Sequence, residues 1–219
     1  MLCHNYIFFD CEPSINFLSE SDLTTFKADF IKVIESTETV TTFAYTTLGF
    51  KAGTRFMLWF QADEAEHIQD LLNALLHTKL GRHLKITYTL LGLVRPSTYT
   101  KKPTSQEQAI NELERGRYLI VYPFTKTADW HLMDHEKKRE IMMDHIRVGH
   151  KYTPIKQLLL YAYGVDDHEF VLSYESESLL DFQSLVIDLR TTEARRYTAN
   201  DTPIFTCIYK PLAEAMKVI

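Results

Sequence analysis

The sequence predicts an α+β chain in which two ferredoxin-like (βαββαβ) repeats form a dimeric-type α/β barrel within one polypeptide. Three observations predict it. One order of strand-like and helix-like segments runs twice along the 219 residues. The central strands of each run come as a pair divided by a glycine-bearing turn. The helical segments over 64–77 and 134–152 each carry a stripe on one side, apolar in the first. A ferredoxin-like unit covers one sheet face with helices and leaves the other bare, so two units can bury their bare faces together.

The first repeat opens with an apolar strand at residues 6–9 and a helix over 21–35. Two β-rich runs follow, 40–50 and 55–61, around a turn holding Gly49 and Gly53. A helix over 64–77 places Ile68, Leu71, Leu72, Leu75 and Leu76 on one side, and a strand over 84–91 closes the repeat. The second repeat runs strand 118–124, helix 134–152, paired strands 155–163 and 168–174 around Gly164-Val165-Asp166-Asp167, helix 178–190 and strand 204–209. Between them, residues 96–116 form a polar connector containing Lys101-Lys102-Pro103 and a short helix over 106–114. The expected organisation is therefore an N-terminal half over 1–95, that connector, and a C-terminal half over 117–219.

Composition narrows the function. Twenty-four basic against 29 acidic side chains leave a net charge of −5, and a pI near 6.0 lacks the basic footprint of non-specific nucleic-acid binding. Only 7 Gly and 7 Pro exclude collagen-like and low-complexity classes. Cys3, Cys11 and Cys207 are odd in number and show no CxxC spacing, which suits a reducing compartment and offers no zinc ribbon. No apolar run approaches the ~18 residues of a membrane span. The opening Met-Leu-Cys-His-Asn-Tyr, soon followed by Asp10 and Glu12, lacks signal-peptide character, so the expected location is the cytoplasm. The aromatic excess, 12 Tyr and 13 Phe, suffices for a core and for the walls of a pocket for a flat ligand.

Of nine histidines, His145 stands apart. On a helix that Asp134 can cap, Ile141, His145, Val148 and Tyr152 form one stripe, which turns this imidazole toward the sheet. Two readings fit: a core histidine bonded to a backbone group or carboxylate, or a single axial ligand to a haem iron. Val148 and Gly149 occupy the positions a second ligand would need, which disfavours zinc and non-haem iron. Upstream, strand periodicity points Tyr122, Phe124 and Lys126 to one side, just before Trp130. If that side is the barrel interior, a phenol and an ammonium share an aromatic-walled cavity where a ligand carboxylate would be welcome. The alternative is a core tyrosine and a lysine snorkelling from the strand end. No GxSxG, P-loop, GxGxxG or HExxH pattern occurs, and Asp166-Asp167 suits a tight turn.

Taken together, several stretches resemble the chlorite dismutase superfamily, and within it the coproheme decarboxylases. They are Thr47-Leu48-Gly49-Phe50, Phe56-Met57-Leu58-Trp59, Tyr118 to Phe124, Trp130, His145, Gly164 to Asp167, and the closing Leu189-Arg190 to Pro203-Ile204-Phe205-Thr206. The resemblance covers nearly the whole chain. It implies two ferredoxin-like halves per chain, assembly as a homopentamer, an iron porphyrin (haem or coproheme) as the bound group, and hydrogen peroxide as oxidant. His145 matches the proximal iron ligand, Tyr122 the tyrosine of the decarboxylases, and Lys126 and Trp130 positions beside the propionates. Where chlorite dismutases hold an oxyanion with arginine, this chain has Gln157, or Leu158 if no deletion is allowed after Tyr152. An arginine of relatives is His150 here, and a propionate-binding serine has no counterpart, leaving Arg190 and Arg195 as candidate anchors.

The implied reaction is oxidative decarboxylation of iron coproporphyrin III to haem b. The competing readings are a non-enzymatic haem-binding or delivery protein, a chlorite dismutase-like peroxidase on the same fold, and a haem-free oligomer in which His145 is core.

Overall fold

In a computed structural model the chain describes residues 2–96 and 114–219, and divides into two compact units: Met1–Val94 with Thr206–Ile219, and Arg95–Phe205. Each carries the βαββα order of a ferredoxin-like half. The connector helix expected over 106–114 falls, up to residue 113, outside the described residues.

The first unit runs β1 (Cys3–Cys11), α1 (Glu20–Glu35), β2 (Thr41–Thr46), β3 (Phe56–Ala62), α2 (Ala65–His77) and β4 (Leu84–Leu93). β1 lies between β3 and β4, and β3 also pairs with β2, all antiparallel. The sheet order β4-β1-β3-β2 is that of a ferredoxin-like unit. Alternation sorts the strands into two faces. Ile7, Phe9, Phe56, Leu58 and Phe60 pack against Phe30 and Ile34 of α1 and Ile68, Leu71 and Leu75 of α2. Tyr6, Phe8, Met57 and Trp59 take the opposite face, where the Trp59 indole donates to His4 Nδ1 at 3.0 Å. β2 stops earlier than the predicted 50 because residues 47–53 turn, with Phe50 N–H donating to the Thr47 carbonyl and Gly49 at φ +84°.

In the second unit β5 (Tyr118–Lys126) is followed by α3 (Ala128–Leu132), α4 (His135–Gly149), β6 (Lys156–Tyr161), β7 (Phe170–Ser176), α5 (Leu179–Arg190) and β8 (Thr198–Asn200). β7 is central, antiparallel to β5 and to β6. β5 runs two residues past the expected 124 because β8 pairs with its end, across a bulge between Thr125 and Lys126. α4 starts where Asp134 accepts the Lys137 N–H at 2.9 Å and stops before the predicted 152. Ser178 caps α5 in the same way. The closing strand β9 (Phe205–Lys210) is antiparallel to β2, Tyr45 opposite Tyr209, and α6 (Leu212–Ala215) follows it. All three cysteines are free. Among the described residues, no helix is long and apolar enough to cross a membrane.

Candidate functional site

α4 is anchored by Ile141, which is buried with Trp130 and Ala194. One turn on, His145 is half-buried and its Nδ1 lies 3.2 Å from Thr192 Oγ1. Thr192 is buried just beyond α5, and its hydroxyl proton is already committed to the Leu189 carbonyl at 2.7 Å. Oγ1 can therefore only accept, which assigns the imidazole proton to Nδ1 and leaves the Nε2 lone pair as donor. Among the described residues, Nε2 takes no hydrogen bond. Burial, and secondarily the Lys126 ammonium, push the imidazole pKa down to about 4 against the pull of Asp144. At neutral pH the ring is uncharged with a free lone pair, the state a metal requires. The expected carboxylate or backbone partner of a core histidine is replaced by a hydroxyl that orients the ring. Among the described residues no cluster of three His, Cys, Asp or Glu could hold an ion by itself. Such a lone imidazole suits a metal whose other ligands come with it, as in a metalloporphyrin.

On β5, Tyr122, Phe124 and Lys126 do share a face, and register extends it: Leu172 lies opposite Tyr122 and Phe170 opposite Phe124. What covers this face corrects the expectation of a barrel interior. Tyr122 and Phe124 pack with Leu172, Tyr174, Ile155 and Leu185, together with Phe182 and Leu189 of α5. They belong to the helix-covered side of the second unit. Period two tells which residues face together; it does not tell which layer they meet.

Lys126 ends the strand in an unusual setting. Its Nζ sits 4.1 Å from the Trp130 ring centre and 5.1 Å from that of Phe124. Among the described residues no carboxylate comes within ion-pair distance of it. Glu169 is the nearest anion felt, yet it is engaged elsewhere: Oε2 accepts the Lys126 backbone N–H at 2.8 Å and Oε1 contacts His131 Nε2 at 2.7 Å. Burial accordingly lowers the ammonium to about 8, with Glu169 opposing. A cation held by π faces without a counter-ion is a place for a ligand carboxylate.

Tyr122 is half-buried as a residue, and its phenol is enclosed beside the buried Tyr174. Their rings stack at 6.2 Å with 21° between planes. Burial first and the neighbouring phenol second hold Tyr122 well above the usual tyrosine range; burial takes Tyr174 to about 12. Register also separates the two candidates for the oxyanion position. Gln157 pairs with Tyr174 and shares the face of Tyr122, whereas Leu158 pairs with Ser173 and is buried on the other side.

The two candidate anchors converge on one carboxylate. Asp201 Oδ2 receives Arg195 Nη1 at 2.7 Å and Arg190 Nη2 at 3.5 Å, and the charges of Arg190 and Asp201 both reach Tyr122. His150 is exposed at the end of α4. An open cleft of about 500 Å³ lined by Met143, Asp144, Ile146, Arg147 and His150 falls, by helical period, away from the His145 side of that helix. Sequence reasoning missed Thr192, Tyr174 and Asp201. A threonine 47 residues from its histidine carries no local signal, and Tyr174 reads as one more strand aromatic. Alternation could have placed Tyr174 beside Gln157 had the register been known.

Two ferredoxin-like halves are the fold of the chlorite dismutases. A variant of the chlorite dismutase from Candidatus Nitrospira defluvii matches with a TM-score of 0.90 at 25% identity, over 99% of this chain and 94% of that one. The same enzyme in complex with imidazole matches equally, at 0.90 and 25%. The chain belongs to the chlorite dismutase family, whose model matches residues 23–210. Among curated relatives, the coproheme decarboxylase of Mycolicibacterium smegmatis is 30% identical over 187 residues, which is 85% of this chain and 80% of the relative.

Proposed function

We propose that this chain is a coproheme decarboxylase, oxidising iron coproporphyrin III to haem b with hydrogen peroxide at a site in its C-terminal half. The observation that carries the reading is the placing of a neutral, metal-competent imidazole, His145, within electrostatic reach of Lys126, an ammonium without a carboxylate. Together they match a ligand that brings its own metal and its own carboxylates. The working assembly is a cytoplasmic homopentamer.

When bound, the iron porphyrin supplies the redox centre on which peroxide acts. Each propionate gives up its carboxyl as carbon dioxide and one hydrogen from the chain carbon attached to the ring, leaving a vinyl group. The two electrons released, with the hydrogen and one further proton, reduce one peroxide to two waters.

His145 Nε2 donates to the metal while Thr192 fixes its ring. Lys126 Nζ holds a propionate by a charge-assisted hydrogen bond. Tyr122 keeps its phenolic proton at neutral pH, so it has a hydrogen atom to give; the phenoxyl radical then takes one back from the propionate. Gln157 offers an uncharged amide where an oxyanion-binding enzyme would use a cation.

The test is mass spectrometry of the porphyrin after mixing purified protein with iron coproporphyrin III and limited peroxide. Stepwise loss of two carboxyl groups is expected, and Tyr122→Phe should bind the porphyrin and return it with four. An intact product from the wild type, or full turnover by the variant, would overturn the assignment.

A further inference from the structure

The ammonium of Lys126 lies against the rings of Trp130 and Phe124, and one carboxylate outside that contact ties its two sides together. β7 begins at Phe170, opposite Phe124, so Thr125 and Lys126 run on past its end and pair with β8 across a bulge. Where a strand outruns its neighbour, the next N–H loses its ladder acceptor and needs a partner elsewhere. Glu169, the residue before β7, supplies it: Oε2 accepts the Lys126 N–H at 2.8 Å. Oε1 meets His131 Nε2 at 2.7 Å, and a carboxylate oxygen only accepts, so that nitrogen carries a proton. His131 is in α3, next to Trp130, and a helix of five residues is too short to stand without tertiary ties. The backbone of Glu169 is itself fixed, its carbonyl taking the Ala162 N–H at 2.8 Å to close the β6–β7 turn. Its side chain thus joins the strand end that bears the cation to the helix that bears the indole. Trp130 is packed against Ile141 and Ala194, so the place of Nζ over the indole depends on where the strand end is held. With both oxygens engaged in this way, the carboxylate is not the counter-ion of Nζ, and the cation stays open to a ligand.

We propose that Glu169 is the positioning residue for Lys126: by clamping the Lys126 backbone to His131 it holds the ammonium against Trp130, ready for a ligand carboxylate. The use of that ammonium for a propionate rests on the decarboxylase reading; the clamp itself does not. Without the carboxylate, the end of β5 shifts against α3 and Nζ leaves the indole face for solvent. In this role the effect of Glu169 on binding passes wholly through Lys126.

The test uses the ligand-free full chain with lysine labelled at Cε with carbon-13, the Lys126 signals being assigned from Lys126→Met. A methylene over an indole face is shifted upfield by the ring current, and in Glu169→Ala the Lys126 Hε signals should move back toward those of a free lysine. Affinity for iron coproporphyrin III, read from the porphyrin absorption, should fall about tenfold, the equivalent of one hydrogen bond. In a Lys126→Met background the same change should have no further effect, because the group it positions is gone. Should Glu169→Ala fail to fold, Glu169→Gln keeps the volume and one of the two acceptors, and both readouts should move in the same direction. Unmoved Lys126 signals in the folded variant overturn the clamp. Affinity that holds or rises overturns the positioning role, as does a loss that persists in the Lys126→Met background. A wild type that takes up no porphyrin, or binds it and leaves it intact, defeats the decarboxylase reading alone, since the Lys126 signals still report on the clamp.

Discussion

Replacing Lys126 by methionine should stabilise the ligand-free protein. Burial lowers this ammonium from 10.5 to about 8, and at ~1.4 kcal/mol per unit the fold pays roughly 3 kcal/mol to keep it charged. The π contacts with Trp130 and Phe124 return about 0.5–2 kcal/mol of that. Methionine fills most of the same stem volume and needs no counter-ion, so a net gain of about 1–3 kcal/mol is expected at pH 7. The pH dependence follows from the direction of the shift. Between pH 8 and 10.5 the unfolded chain holds a proton that the folded chain has lost, so wild-type stability rises through that window. The variant lacks this rise, and its advantage should shrink from pH 7 toward pH 10. Urea denaturation at both values measures it. Porphyrin affinity should move oppositely, falling about tenfold to a hundredfold with the lost charge-assisted contact. A variant less stable than wild type at pH 7 would refute the idea of an unsatisfied cation awaiting a carboxylate.

Thr192→Val, nearly isosteric, strips the Nδ1–H of His145 of its acceptor; about 1–3 kcal/mol of stability should be lost, and the nitrogen-15 shifts of the imidazole should show mixed tautomers in place of one. A single surviving tautomer would mean that another group orients the ring. Acid should act through His145 as well. Folded, it resists protonation down to about 4, whereas unfolded it takes a proton near 6.5, so the stability it contributes is complete above 6.5 and lost as pH falls toward 4. At pH 5 the loss should be about 2 kcal/mol, and His145→Gln should remove that part of the slope in denaturation experiments at pH 7 and 5.

Strong periodicity made the fold legible. The stripe through Ile68, Leu71 and Leu75 fixed α2, and Asp134 marked the start of α4 by the side-chain cap that the structure shows. Segments with too few residues for a period stayed silent: α3, five residues capped by Thr127, and β8, three residues whose pairing extends β5. At the site, residues whose chemistry is intrinsic stood out, such as an imidazole on an apolar stripe or a lysine among aromatics. Residues that act through partners did not. Thr192 matters because Leu189 takes its proton, and that relation exists only once α5 has ended in a tight turn. Arg190 and Arg195 read as free cations until Asp201 is seen between them.

One physical cause sets the state of all three central groups. Burial drives His145 down, Lys126 down and Tyr122 up, in every case toward the uncharged form. In the proposed function, that form of the imidazole is the metal donor and that of the phenol is the carrier of a hydrogen atom. The lysine, at about 8, stays charged at neutral pH but at a desolvation cost that a ligand carboxylate would relieve. The low-dielectric setting that creates these states is made by apolar neighbours: Ile141 and Ala194 behind α4, Leu185 beneath the sheet face, Trp130 against the ammonium. Opening that packing would let water back to all three groups at once and move their pKa values together toward ordinary ranges. The chemistry would then fail without the loss of a single reacting side chain, which makes the apolar shell as much a part of this site as the residues it encloses.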